Sequence, residues 1–209
     1  GGGERGRAWR EAGRGAENKH NTASDVLKAA RNLGERGFAV GAWARSAGGL
    51  GVGGAVHLDP EAFSVVALDV PFLDALGALA DPSLPLTINE WEEFGAPRRD
   101  YEAVRNYSPA SNVRAGAAYP PMLLRPAFHD ARTGWWESFK FAARVRAAAA
   151  ADDVLVLDVL VLADDRGHFA PSPAIISSAH ALPSREERSS PLTSTVKRFR
   201  IGSRPKARS

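Results

Sequence analysis

"AWARSAGGLGVGGA", residues 42–55, sets a serine between an apolar run that ends in Arg45 and a stretch of small residues. The run "FAVGAWA" (38–44) reads as a short buried strand, and residues 45–57 read as a helix packed tightly against a sheet. A serine at such a junction fits a nucleophile elbow, the sharp strand-to-helix turn whose usual pattern is G-x-S-x-G. Here Ala44 stands where the pattern has its first glycine, so one extra methyl group must fit. The neighbours of such a serine must be small because strand and helix approach closely, and Ala47, Gly48, Gly49, Gly51, Gly53 and Gly54 meet that need. The alternative is a plain glycine-rich turn, and the rest of the chain decides between the two.

On the amino-terminal side, "NTASDVLKAARNLGERG" (21–37) predicts a helix capped by Asn21 or Thr22, with Val26, Ala30 and Leu33 on one face and Gly34 or Gly37 ending it. "FSVVALDVPF" (63–72) predicts a second buried strand. Residues 73–118 read as loops and short helices. "YPPMLLRPAFHD" (119–130) carries a third strand, "WWESFKFAARVRAAAAA" (135–151) a helix, and "DVLVLDVLVLAD" (153–164) a fourth strand. Strands alternating with helices predict an α/β fold built on a doubly wound, mostly parallel sheet. From about Pro171 onward serine, proline and arginine dominate without a period. Residues 171–209 are therefore expected to be a disordered tail beside a folded unit over 1–170.

The 209 residues are 44% hydrophobic and 24% charged, a balance typical of globular domains. No apolar run is long enough to span a bilayer, and "GGGERGRAWREAGRG" has no apolar signal core. With no cysteine, disulfides, thiolate catalysis and cysteine-ligated zinc are excluded, and a cytoplasmic or other intracellular setting is expected. The net charge of +3 is uneven: from Arg185 onward eight Lys/Arg face two Glu, so the basic excess belongs to the tail. A basic tail can contact nucleic acid or an acidic surface. It lacks interleaved aromatics, so a solvated end is the expectation, with neither nucleic acid nor membrane as partner.

In a parallel sheet, functional groups gather in loops at the carboxyl ends of strands. Ser46 follows the first strand, Asp130 the third and His168 the fourth, in the order Ser…Asp…His of α/β-hydrolases. The chemistry asks for these types. A hydroxyl becomes nucleophilic when an imidazole takes its proton, and a carboxylate on the other ring nitrogen fixes the tautomer and stabilises the imidazolium. The other histidines suit lesser roles: His20 before the first helix, His57 at a helix end, His129 supporting the Asp130 loop, and His180 in the tail. No pair of histidines has metal-ligand spacing, so neither metal nor cofactor is expected.

"GGGERGRAW", "NTASD", "ARSAGGL", "DVPFLDAL", "DPSLPLTINEWEEFG", "NYSPASNV", "YPPMLLRPAFHDARTGWWESFKF" and "ADDRGHF" occur in this order over residues 1–170. Together they resemble the C-terminal catalytic domain of the prolyl oligopeptidase family, in its oligopeptidase B branch. The resemblance implies a serine peptidase of α/β-hydrolase fold, with Ser46 as nucleophile, Asp130 as orienting acid and His168 as base. It implies short peptides as substrates. Glu90 and Glu92, matching the paired glutamates of "PLTINEWEEFG", would read an Arg or Lys before the cut bond. Two carboxylates on an extended segment, two residues apart, would point the same way and grip one guanidinium. Arg132 matches an arginine that binds a substrate backbone carbonyl, and the backbone N–H of Ala47 would be an oxyanion donor. The resemblance also implies an N-terminally truncated catalytic domain, with a β-propeller, the first sheet strands and an oxyanion tyrosine upstream. The competing readings are a catalytically inactive remnant and a binding module that uses the basic tail.

Overall fold

The computed structural model describes residues 2–148, 159–161, 165 and 167–169. Its centre is a four-stranded, wholly parallel sheet: β1 (Gly41–Arg45), β2 (Val65–Asp69), β3 (Met122–Arg125) and β4 (Val159–Val161), in spatial order β1-β2-β3-β4. Before β1 come α1 (Arg7–Ala12) and α2 (His20–Glu35). Between β1 and β2 lies α3 (Gly48–Leu58), between β3 and β4 lies α7 (Trp135–Ala148), and the β2–β3 connection carries α4 (Ala75–Ala80), α5 (Thr87–Phe94) and α6 (Pro97–Tyr107). When strand order follows chain order, right-handed crossovers put every connecting helix on one face of the sheet. The core bears this out. Ala44, Val66, Leu68, Met122 and Leu124, which share one side of the pleat, form one buried cluster with Leu27 and Ala30 of α2, Val52, Ala55 and Val56 of α3, and Phe141, Ala142 and Val145 of α7. A second cluster, of Leu50 with Ala75, Leu79, Val104 and Tyr107, seats the α4–α6 excursion over the end of α3.

The strand–helix alternation agrees with the sequence expectation, and three local details correct it. Helix α2 begins at His20 with Lys19 at its cap and no side-chain cap bond, so neither Asn21 nor Thr22 caps it. Its buried face is Ala23, Leu27 and Ala30, while Leu33 is exposed. It ends where Gly37 takes a positive φ of 87° and the Phe38 N–H donates to Leu33 O at 3.1 Å. Helix α3 starts three residues later than the apolar run suggests, because Ser46 and Ala47 are taken up by the turn. Most of the expected fourth strand (153–164) and the tail (171–209) lie outside the described residues. Among the described residues, no helix is long and apolar enough to cross a membrane.

Glycine is a poor helix former, yet α3 carries five. The reason is close approach. A Cβ at Gly54 would lie 2.7 Å from the Ala23 Cβ of α2, and one at Gly49 would lie 2.6 Å from the Pro71 Cβ and 3.0 Å from the Phe72 nitrogen. The second contact involves backbone, which cannot swing away. Gly49→Ala should therefore destabilise the protein by about 1–3 kcal/mol, against the gain of about 0.5–1 kcal/mol expected from helix propensity alone. Urea denaturation of the two proteins measures the difference.

Candidate active site

Ser46 joins β1 to α3 with φ 53°, in the left-handed region that a serine enters only when its surroundings hold it there. Three backbone bonds do so. The Ser46 N–H donates to Asp69 O at 3.0 Å, and the Ser46 carbonyl accepts from the N–H groups of Gly49 and Phe72, each at 2.9 Å. The turn tolerates Ala44 because Gly48 stands opposite: a Cβ at 48 would meet the Ala44 methyl at 3.3 Å. Ala47, next in the chain, is the N-cap of α3, at the positive end of the helix dipole.

The sharp turn after β3 supplies Asp130. Its buried carboxylate is saturated with donors: Oδ1 accepts from the N–H groups of Arg132 (2.7 Å) and Thr133 (3.0 Å), and Oδ2 accepts from the Thr133 hydroxyl (2.9 Å). Oδ2 also lies 2.7 Å from Nδ1 of His168, whose side chain is only 7% exposed. That pairing puts the Nδ1 proton against the carboxylate and leaves Nε2 as the acceptor. The structure thus joins Asp130 directly to His168. It places Ser46 in one cleft wall with Ala47, Arg132 and Thr133, the last two belonging to the Asp130 turn. The Arg132 guanidinium lies 5.5 Å from the centre of the Phe169 ring, beside His168.

The glutamates need a correction. The segment that holds them is helix α5, not an extended strand, so side chains two apart leave on different faces. Thr87, Glu90 and Phe94, at helical spacing, face the cleft beside Phe72 and Leu79. Glu92 points away, is 82% exposed and pairs with Arg14, while Glu93 pairs with Lys19. Of the two carboxylates expected to grip one guanidinium, Glu90 alone lines the cleft with Ser46.

Sequence reasoning missed a charged row across the strand ends. Arg45, Asp69 and Arg125 are register partners on β1, β2 and β3. Asp69, 1% exposed, pairs with Arg45 on one oxygen and with Arg125 Nη1 at 3.1 Å on the other. Only register brings them together; the signal was an acid ending an apolar strand. Among the remaining histidines, His20 opens α2 with Nδ1 2.9 Å from Glu17 O, and His129 is exposed. His57 ends α3, where burial and then the Arg114 charge pull its pKa below the usual histidine value. His180 lies outside the described residues. Among the described residues, no group of three His, Asp or Glu side chains is placed to hold a metal.

Residues 1–181 match the sequence profile of the prolyl oligopeptidase family. The chain belongs to that family. It is 39% identical over 178 residues to Protease 2 of Moraxella lacunata, a match covering 82% of this chain and 25% of that protein. Its fold superposes on oligopeptidase B of Trypanosoma brucei, solved with antipain covalently bound, with a TM-score of 0.77 at 35% identity over 87% of this chain and 27% of that one. Oligopeptidase B of Leishmania major gives 0.72 at 36% identity over 79% and 23%. The chain therefore has the α/β-hydrolase fold and spans about a quarter of the length of these relatives.

In this family member, a second buried carboxylate braces the cleft. Glu137 of α7 is 1% exposed. Its Oε2 accepts from the N–H groups of Leu73 and Asp74, both at 2.8 Å, and Oε1 from Gly134 N–H at 3.1 Å. It thus ties the loop after β2, which carries Phe72, to the turn after Asp130. Burial pushes its pKa up to about 7, with the Asp74 charge adding, although the three backbone donors pull the other way. Between its ordinary 4.5 and about 7, the folded protein keeps a proton that the unfolded chain has released. This group's contribution to stability is therefore fully present below the ordinary value and is lost as pH rises through 7. Glu137→Gln removes the titration. The stability difference between wild type and E137Q should shrink by up to ~3 kcal/mol from pH 5 to pH 8. Urea denaturation of both proteins at each pH reads the change; a gap independent of pH would contradict it.

Proposed function

We propose that this chain forms part of the catalytic domain of a serine peptidase that cuts short peptides after Arg or Lys. The observation that carries the reading is the cleft itself: a strained serine, the turn of a buried Asp–His pair and a single carboxylate, Glu90, meet around one opening. In the proposed mechanism, Ser46 Oγ attacks the peptide carbonyl while Nε2 of His168 takes the hydroxyl proton and returns it to the leaving amine. Asp130 stabilises the imidazolium. Water, activated by the same imidazole, then releases the acyl group. The backbone N–H of Ala47, at the start of α3, faces the developing oxyanion. Arg132 holds a substrate carbonyl. Family membership and the antipain adduct of the Trypanosoma brucei relative support a nucleophilic mechanism.

A fluorophosphonate probe should label the protein at Ser46, and Ser46→Ala should abolish the label. Mass spectrometry of the adduct locates it; a label elsewhere, or one that survives in S46A, contradicts the reading.

Specificity rests on Glu90. Its half-buried carboxylate stands among Phe72, Leu79 and Phe94, where a guanidinium forms a charge-assisted bond. Glu90→Gln should cost Arg substrates about 1.5–3 kcal/mol in kcat/KM and leave matched Phe substrates nearly unchanged. Glu92→Gln should change neither, since its partner is Arg14 at the surface. Equal losses for Arg and Phe substrates in E90Q would assign Glu90 to folding instead.

A further inference from the structure

The residue before the serine has an arrangement that the mechanism above does not use. Two of the acceptors that the Arg45 guanidinium reaches are on described residues that matter to the site: Nη1 donates to Asp69 Oδ2, and Nη2 donates to the backbone carbonyl of His168. Asp69 is itself immobilised, being buried and held from the far side by Arg125. Among the described residues, two bonds hold His168, one at Nδ1 from the Asp130 side and one at its carbonyl from Arg45. A bond at Nδ1 alone leaves the imidazole free to pivot about the carboxylate. A second anchor on the backbone of the same residue removes that freedom.

We propose that Arg45 is a positioning residue that locks the His168 backbone to the buried Asp69, setting the imidazole against the serine next to Arg45 in the chain. The proposal rests on the serine-peptidase reading. Its physical basis is the shape of the guanidinium. The planar fork reaches two acceptors at a fixed angle, whereas an ammonium supplies the charge without the fork. Lysine at 45 would keep Asp69 neutralised from both sides yet release the His168 carbonyl. Reaction depends steeply on such placement, and an error of about 1 Å can cost ~100-fold.

The test compares wild type, Arg45→Lys and Arg45→Met by three measurements: melting temperature, the rate of fluorophosphonate labelling, and the downfield NMR resonance of the His168 Nδ1 proton, assigned by its loss in His168→Ala. R45K should melt close to wild type, label ~10–100-fold more slowly and show a broadened His168 resonance. Its ratio of Arg to Phe substrate cleavage should stay at the wild-type value, because Glu90 is untouched. R45M, which removes the β1 cation from the buried Asp69, should lose stability as well; if it fails to fold, R45K decides. Wild-type labelling and a sharp wild-type resonance in R45K would overturn the proposal. If the wild type itself is not labelled but the resonance still broadens in R45K, the tether stands and the peptidase reading falls.

Discussion

One buried charge, Asp69, holds the top of the sheet together. Taking a carboxylate out of water costs several kcal/mol unless cations and hydrogen bonds replace the lost hydration. Here the replacements come from the strand on each side, Arg45 from β1 and Arg125 from β3. The backbone of Asp69 is engaged too, since its carbonyl receives the Ser46 N–H. A slip of one residue in register would send the side chain of Asp69 to the apolar, helix-covered face and strand both arginines. The row thus adds a charged constraint on register to the one the buried Val and Leu side chains set, and the loops that carry the site inherit that precision.

Two non-glycine residues with positive φ stand at the ends of adjacent strands: Ser46 at 53° after β1 and Val70 at 39° after β2. Each costs about 1–3 kcal/mol, and for β-branched Val70 the strain is the more unusual. Both are over-determined. Val70 N–H donates to Arg125 O at 2.8 Å, and the Thr133 hydroxyl, 2.9 Å from both Val70 O and Asp130 Oδ2, shares its one proton between them. The turn at Val70 leads to Phe72, whose N–H donates to the Ser46 carbonyl. The two strained turns therefore brace one another through single hydrogen bonds, and Thr133 couples both to the carboxylate that orients His168. Strain at this end of the sheet is distributed over β1, β2 and the Asp130 turn, and no one loop sustains it.

Local patterns carried the readings that depend on nearest neighbours. Apolar runs bounded by turn residues are enough to place β1, β2, β3 and α7, and the order of Ser46, Asp130 and His168 at successive strand ends is readable because a parallel sheet puts those ends on one edge. Readings that depend on pairing across the sheet were out of reach. Nothing in "GAWAR", "VVALD" or "MLLR" says that Arg45, Asp69 and Arg125 will align, because register is a property of three segments at once. The same limit explains Glu137, an apparently ordinary acid in "WWESFKF" two of whose three backbone partners, Leu73 and Asp74, lie more than sixty residues away. The error at Glu90 and Glu92 has another origin. A pair of acids two apart supports a shared grip only on extended backbone, and "TINEWEEF" has the helical spacing of Thr87, Glu90 and Phe94 that argues the opposite.

The helical setting of Glu90 changes how the cleft can discriminate. Two carboxylates side by side would repel each other in the empty site, and a cation would relieve that repulsion on binding. A single half-buried carboxylate among aromatic and aliphatic side chains works differently. Its charge is weakly screened, so attraction to a cation is strong, but the apolar wall also removes hydration from the incoming group. Guanidinium is more weakly hydrated than ammonium and has flat faces that lie well on aromatic rings such as Phe72 and Phe94. On the proposed specificity, the wall that strengthens the charge would also favour Arg over Lys. On that proposal selectivity would come from the balance of one charge against its apolar surroundings, without the fork-to-fork geometry of a paired site.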